Sequence, residues 1–280
     1  MTERELDGSD SGSASERATN GSDAPAAVVL VSGGMDSATT AYEARERGHD
    51  LHFLHTSYGQ NTESRERECA EALRAEMGVP DDRYLHIETD HLARIGASSL
   101  TDDALAVEDA DLRRGDDTEE ADGDEDGDAD EIPSSYVPFR NANLLSMAVS
   151  YAEATDCEAV FVGAHSEDYS GYPDCRPEFF DAFETMVDTG TRPETSIDIV
   201  VPFVENSKTD IARRGTDLGV PYESTWSCYR EAAPACGTCD ACAYRLQAFQ
   251  RLGIDDPIEY EERPDYTVAD AGTERDSGTE

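Results

Sequence analysis

The stretch Ala26-Ala27-Val28-Val29-Leu30-Val31 runs directly into Ser32-Gly33-Gly34-Met35-Asp36-Ser37. Six apolar residues between Pro25 and the glycines are too few for a buried helix and suit a strand covered on both faces. Beyond the glycines, Met35, Ala38, Ala41 and Tyr42 recur at helical spacing. The chain thus reads strand, tight loop, helix, and the alternation continues outward. Leu51 to Thr56 is a second strand, and Cys69, Ala70, Leu73 and Met77 mark a second helical face before Gly78 and Pro80. Leu144, Ala148, Tyr151 and Ala152 give a third helix leading into a strand from Ala159 to Val162. Ile197 to Val201 is a further strand and Lys208 to Leu218 a further helix. Successive βα units predict an α/β fold, a doubly wound parallel sheet whose ligands bind beyond the carboxyl ends of the strands. The loops after Val31, Thr56, Val162 and Val201 are therefore where a site belongs.

The first of these loops carries the clearest chemistry. Two glycines let the backbone turn sharply and bring N–H groups close to an anion, and the start of the helix adds a favourable dipole. A phosphate site is predicted over Ser32 to Ser37, and the cofactor that carries the phosphate is expected over Val31, Ser32, Gly33, Gly34, Met35, Asp36, Ser37, Ala38, Thr39, Thr40 and Ala41. The loop lacks the Gly-Lys-Ser/Thr ending of a Walker A loop and the G-x-G-x-x-G of dinucleotide folds.

Charge constrains everything else. The 280 residues hold 63 acidic and 22 basic side chains, a formal net charge of −41, and Lys208 is the sole lysine. Such self-repulsion opposes folding unless salt screens it, and at 1 M salt the screening length is only about 3 Å. The composition suits a cytoplasm kept at molar salt. Acids spread over most of the chain argue against a mimic of nucleic acid, which needs them gathered on one face. No apolar run approaches the length that crosses a bilayer, and the first residues carry no signal-peptide core. Residues 1–25 and 261–280 read as disordered acidic tails. Between them lie a nucleotide-binding α/β region, 26–221, and a cysteine-bearing segment, 222–260. An acidic insertion, 102–131, interrupts the first, and from Asp116 to Glu131 eleven of sixteen residues are acidic. Asp122, Asp124, Asp126 and Gly127 match the first half of a calcium loop, but its twelfth position falls on Pro133.

Seven cysteines are an odd count for a disulfide framework. Cys228, Cys236, Cys239 and Cys242 crowd together at C-x7-C-x2-C-x2-C spacing, with Gly237 allowing a tight turn between them. Four thiolates suit a closed zinc site, and an iron–sulfur cluster is the chemical rival. Cys69 and Cys157 read as small buried residues.

The Ser-Gly-Gly-x-Asp-Ser loop resembles the PP-loop of ATP pyrophosphatases, which implies ATP as co-substrate and AMP-forming chemistry. Three further stretches narrow the resemblance: Tyr58-Gly59-Gln60, Val137-Pro138-Phe139-Arg140-Asn141, and Gly163-Ala164-His165 through Asp168 to Ser170-Gly171-Tyr172-Pro173-Asp174-Cys175-Arg176. With Ser227-Cys228 and the later cysteines, they look like the QueC family of 7-cyano-7-deazaguanine synthases over about residues 26–260. Asn61 stands where an arginine commonly follows Tyr-Gly-Gln, Phe139 is bulky for its place, and the acidic insertion is extra.

The resemblance implies a PP-loop (HUP-type) fold and a ligase that joins ammonia to 7-carboxy-7-deazaguanine through adenylated intermediates. Its product would serve tRNA modification of the archaeosine or queuosine kind. It favours structural zinc over iron and sulfide, and Mg2+ accompanies ATP. On chemical grounds Asp168 and Asp174 could accept from the N–H groups of a guanine-like base, Tyr172 could stack on it, and Arg140 or Arg176 could hold a carboxylate or phosphate. Tyr58, Gln60 and Asn141 complete the substrate candidates. His165 is equally a base or a polar residue closing a strand. Lys208 and Asp36 are the catalytic candidates: a lone lysine among arginines suggests a task that a planar guanidinium cannot perform. The expected partners are small molecules, with no direct contact to nucleic acid or membrane, and a homodimer is compatible with the sequence. The competing functions are a PP-loop tRNA thiolase and a non-catalytic zinc or nucleotide-binding module.

Overall fold

A computed structural model describes residues 24–96, 98–102, 105–110, 132–165, 172–230 and 233–267. Five strands form one parallel sheet: β1 (Ala26–Leu30), β2 (Asp50–Ser57), β3 (Tyr84–Glu88), β4 (Ala159–Phe161) and β5 (Asp198–Val200), in the order β3-β2-β1-β4-β5. Every pairing is parallel, with Leu30 opposite Leu54 and Val29 opposite Phe161. The chain steps from β1 to one side and then returns to the other, so the strand order reverses between β1 and β4. A crevice opens at such a reversal, beyond the carboxyl ends.

The helices are α1 (Met35–Glu46), α2 (Glu63–Glu76), α3 (His91–Ile95), α4 (Arg140–Thr155), α5 (Pro177–Gly190), α6 (Lys208–Leu218) and α7 (Asp240–Leu252). Alternation along β1 explains their placement. Ala27, Val29 and Val31 enter a core shared with α1, α2, α6 and α7, while Val28 enters a second core shared with α4 and α5. Helices thus cover both faces, as the βα alternation predicts. The start of α6 is fixed by a capping box, in which the Ser207 hydroxyl accepts from the Asp210 N–H and the Asp210 carboxylate accepts from the Ser207 N–H.

Four elements were not anticipated from the sequence: β3, α3, α5 and α7. The last belongs to the cysteine-bearing segment, yet its Ala248 and Phe249 lie in the first core. Its Arg245 is fully buried and makes a two-toothed ion pair with Asp256, at 2.7 and 2.9 Å. Arg245 also donates to the Thr225 hydroxyl and the Tyr222 carbonyl. Most of the acidic insertion, with its calcium-like residues, lies outside the described residues.

Candidate active site

A cavity of about 250 Å³ sits at the reversal point, walled by the ends of β1, β2 and β4, the start of α4 and residues 226–229. Val31, Ser32, Gly34 and Ser37 of the glycine loop line it. The loop is tied to itself: the Ser37 hydroxyl donates to the Gly34 carbonyl, and the Ser32 N–H donates to the Ser37 hydroxyl. Gly33 has φ +84°, and a Cβ there would collide with the Glu66 carbonyl and Cys69. The Gly33 carbonyl in turn accepts from the Trp226 N–H at 2.9 Å, joining the loop to the opposite wall. Met35, Ala38, Thr39, Thr40 and Ala41 are buried beneath the loop. They pack the first turns of α1 against the fold, and the Thr39 hydroxyl is engaged by Met35 and Tyr222.

The Tyr58-Gly59-Gln60 segment positions two charged side chains on the cavity wall. Gly59, at φ +85°, allows a turn in which a Cβ would come within 2.7 Å of Ala93. The Tyr58 hydroxyl accepts from the Arg140 guanidinium at 3.3 Å. Burial alone would lower the Arg140 pKa, but neighbouring Tyr58 raises it, so the cation is secure. Gln60 accepts from the Tyr58 N–H at 2.8 Å and donates to Glu66 at 3.1 Å. Thr62 donates to the other Glu66 oxygen at 2.5 Å. Burial raises the Glu66 pKa against these donors. The sequence reading missed Glu66, whose only signal is its spacing from Gln60 on the first turn of α2.

Asp36 and Lys208 meet beside the loop, outside the cavity lining. Lys208 Nζ lies 2.5 Å from Asp36 Oδ2 and 3.2 Å from His165 Nε2. Burial would raise the Asp36 pKa, but Lys208 and His165 outweigh it and hold the carboxyl below its ordinary value. The lone lysine therefore braces the first turn of α1 from the start of α6.

The remaining substrate candidates separate. Asn141 lines the cavity. Asp174 is buried and accepts from the Asn141 N–H at 2.8 Å, so it caps the start of α4. Tyr172 shares a hydrogen bond with Ser135 and packs beside Tyr136. Arg176 is exposed at the start of α5, away from the cavity lining. Asp168 lies outside the described residues. Asn61 bonds the backbone of Ser99 and Leu100, and Phe139 is 60% exposed with its ring against Phe179, so neither unusual residue lines the cavity.

Cys228, Cys236, Cys239 and Cys242 are all buried, with their sulfurs within 4.8 Å of one another. The Cys228–Cys236 and Cys236–Cys242 separations are 3.6 and 3.9 Å. A tetrahedral zinc with bonds of about 2.3 Å places its sulfurs about 3.8 Å apart, so the cluster fits the ion. Backbone N–H groups of Arg230, Cys236, Thr238 and Cys239 point at Cys228 and Cys236, as suits thiolates. The cluster also reaches the cavity, because Cys228 lines it together with Trp226, Ser227 and Tyr229.

Residues 26–253 match the family model described as queuosine biosynthesis protein QueC. A protein of Haloarcula marismortui named 7-cyano-7-deazaguanine synthase is 67% identical over 241 residues, covering 86% of this chain and 97% of its own. One of the same name from Methanoculleus marisnigri is 52% identical over 235 residues, covering 84% and 98%. Among solved structures, an NMN synthetase from Francisella tularensis is 16% identical, with a TM-score of 0.44 over 83% of this chain and 79% of that one.

Proposed function

The chain belongs to the QueC family of queuosine biosynthesis proteins, and on that premise we propose that it is an ATP-dependent ligase converting 7-carboxy-7-deazaguanine and ammonia to 7-cyano-7-deazaguanine. One observation carries the reading: the glycine loop and the Arg140 guanidinium face a single cavity. A place for pyrophosphate and a place for an organic acid are thereby adjacent.

A carboxylate does not react with ammonia, because its oxygen is a poor leaving group. Attack of that oxygen on the α-phosphorus of ATP releases pyrophosphate and leaves an acyl adenylate. Ammonia displaces AMP to give the amide. A second ATP adenylates the amide oxygen, and departure of AMP with loss of the two nitrogen-bound protons leaves the nitrile. Ser32, Gly34 and Ser37 hold the pyrophosphate against the start of α1. Arg140 aims the acid through paired N–H donors. Lys208, anchored on Asp36, adds positive charge where negative charge grows, and a Mg2+ ion arriving with ATP would supply further charge for the departing pyrophosphate. The zinc is structural, since four thiolates leave no open position.

No described helix is long and apolar enough to cross a membrane. A chain with 63 acidic and 22 basic side chains has few cations with which to neutralise a nucleic-acid backbone, which favours the free base as the substrate, and its acidity suits a salt-rich cytoplasm. A thiolase would need a reactive cysteine near the loop. Cys69 is beside Gly33, but burial pushes its thiol up to about 11, which leaves it protonated and inert.

Incubating the protein at molar salt with ATP, Mg2+, ammonium and the deazaguanine acid is the test. The expected products are the nitrile and two AMP for each nitrile formed. Absence of acid-dependent AMP overturns the reading.

A further inference from the structure

We propose that the Glu66 carboxylate selects the base, accepting hydrogen bonds from the amidine edge of a guanine-like substrate, its ring N–H and exocyclic amine, while the substrate's acid group lies toward Arg140. The inference rests on the function proposed above. Among the described residues that line the cavity, Glu66 and Arg140 are the two charged ones, and they match the two polar ends of an acid-bearing guanine-like ring. Leu30, Leu54, Leu144 and Trp226 supply apolar walls for the ring between them.

The carboxylate is held for the purpose. Gln60 accepts from the Tyr58 N–H, which fixes its amide so that the NH2 faces Glu66. Thr62 holds the other oxygen. Each carboxylate oxygen retains a second lone pair, so the pair can still accept from two parallel N–H donors. Burial makes the ionised form of Glu66 unfavourable, and an amidine edge supplies the donors that would restore it. The backbone of Glu66 abuts Gly33 of the phosphate loop, so a base seated on it lies close to the ATP it must react with. Asp174 caps α4 and does not line the cavity.

A site built around N–H donors rejects an analogue that lacks one, because the acceptor is left buried and unpaired. The test compares the deazaguanine acid with its hypoxanthine counterpart, which lacks the exocyclic amine, in the unmodified enzyme and in Glu66→Gln. The unmodified enzyme is expected to favour the amine-bearing acid by about tenfold or more in kcat/KM. In Glu66→Gln the KM for that acid should rise by about tenfold, the preference should shrink toward one, and the KM for ATP should stay within about twofold. Zinc content and melting temperature establish that the variant folds, and the analogue comparison on the unmodified enzyme stands without it. Equal use of both acids, or a change in the KM for ATP instead, overturns the assignment; the latter would place the adenine amine on Glu66. If the unmodified enzyme makes no nitrile from either acid, the proposed function fails and this inference with it. Nitrile formed without discrimination sinks this inference alone.

Discussion

One wall of the cavity, Ser32 to Ser37 and Tyr58 to Glu66, hangs from strand ends and helix starts, whereas the opposite wall, Trp226 to Tyr229, belongs to neither strand nor helix. The first wall inherits its shape from the sheet: β1 pairs with β2 as far as Leu30 and Leu54, β2 runs on to Ser57 beside β3, and these backbone ladders fix where the loops begin. The second is held by side chains. Four clustered thiols lie at one end of it, and the buried Arg245–Asp256 pair reaches Thr225 and Ser227 at the other. Elements held by different interactions come apart under different conditions. Acid should weaken the first wall from within, and loss of metal should release the second.

The largest effect is expected at the second wall. A structural zinc on four thiolates contributes on the order of 10 kcal/mol to the order of the segment that holds it. Cys239→Ser should lose the ion and free residues 226–229, while the sheet persists on the core that it shares with α4 and α5. The expected result is a fall in turnover of about a hundredfold or more with far-ultraviolet dichroism largely kept and no zinc by metal analysis. Turnover near that of the parent would show that the wall stands without metal. Iron with labile sulfide in the parent protein would replace zinc as the ion.

The first wall has a titratable group beneath it. His55 is 1% exposed, its Nδ1 donates to the Val31 carbonyl at 2.8 Å, and its Nε2 is buried without a hydrogen-bond partner. Burial is the main cause that lowers its pKa from 6.5 to about 4. Between those values the unfolded chain binds the proton and the fold does not, so stability is complete above pH 6.5 and falls as the pH drops toward 4. The loss can reach about 3 kcal/mol. His55→Asn places an amide donor where Nδ1 stood and does not titrate. Denaturant midpoints at pH 7 and pH 4.5 should therefore fall less with acid in the variant than in the parent. Equal acid sensitivity in both proteins would remove His55 as the cause.

How far the sequence could be read follows the same division. The strand ends and the glycine loop were legible because a parallel core writes continuous apolar runs and a tight strand-to-helix turn writes glycines. Edge strand β3 was missed because Tyr84-Leu85-His86-Ile87-Glu88 is partly exposed throughout and mixes polar with apolar residues. Helix α5 lay hidden behind the Ser-Gly-Tyr-Pro-Asp-Cys-Arg stretch, although Phe180, Phe183 and Val187 recur at helical spacing. The cysteines drew the reading of α7, while its Arg245 is a fully buried charge in a chain whose charges are mostly solvated. Among the site residues, Arg140, Asn141, Tyr58 and Gln60 line the cavity, while Asp174 acts on a helix end. Composition cannot separate those two uses of a polar residue; only the partner does.

Lys208 gives the smallest expected effect and tests whether the first wall is braced or also electrically active. It is 8% exposed, with Asp36 at 2.5 Å and His165 at 3.2 Å. Those distances leave space for a compact ammonium, whereas a guanidinium is broad and planar and presents its donors in a fixed fork. Arginine at this position would keep the positive charge and could keep the pair with Asp36, so the fold and the zinc should survive. It would place that charge differently relative to Ser32 to Ser37, the proposed seat of the departing pyrophosphate. Lys208→Arg should therefore slow ATP-dependent turnover by about tenfold, equivalent to about 1.4 kcal/mol of transition-state stabilisation, with melting temperature little changed. A steady-state assay at molar salt that finds the variant within about twofold of the parent would leave Lys208 as a brace between α6 and α1. Under the proposed reaction, the charge that helps pyrophosphate leave would then have to come from the loop N–H groups and any ion bound with ATP.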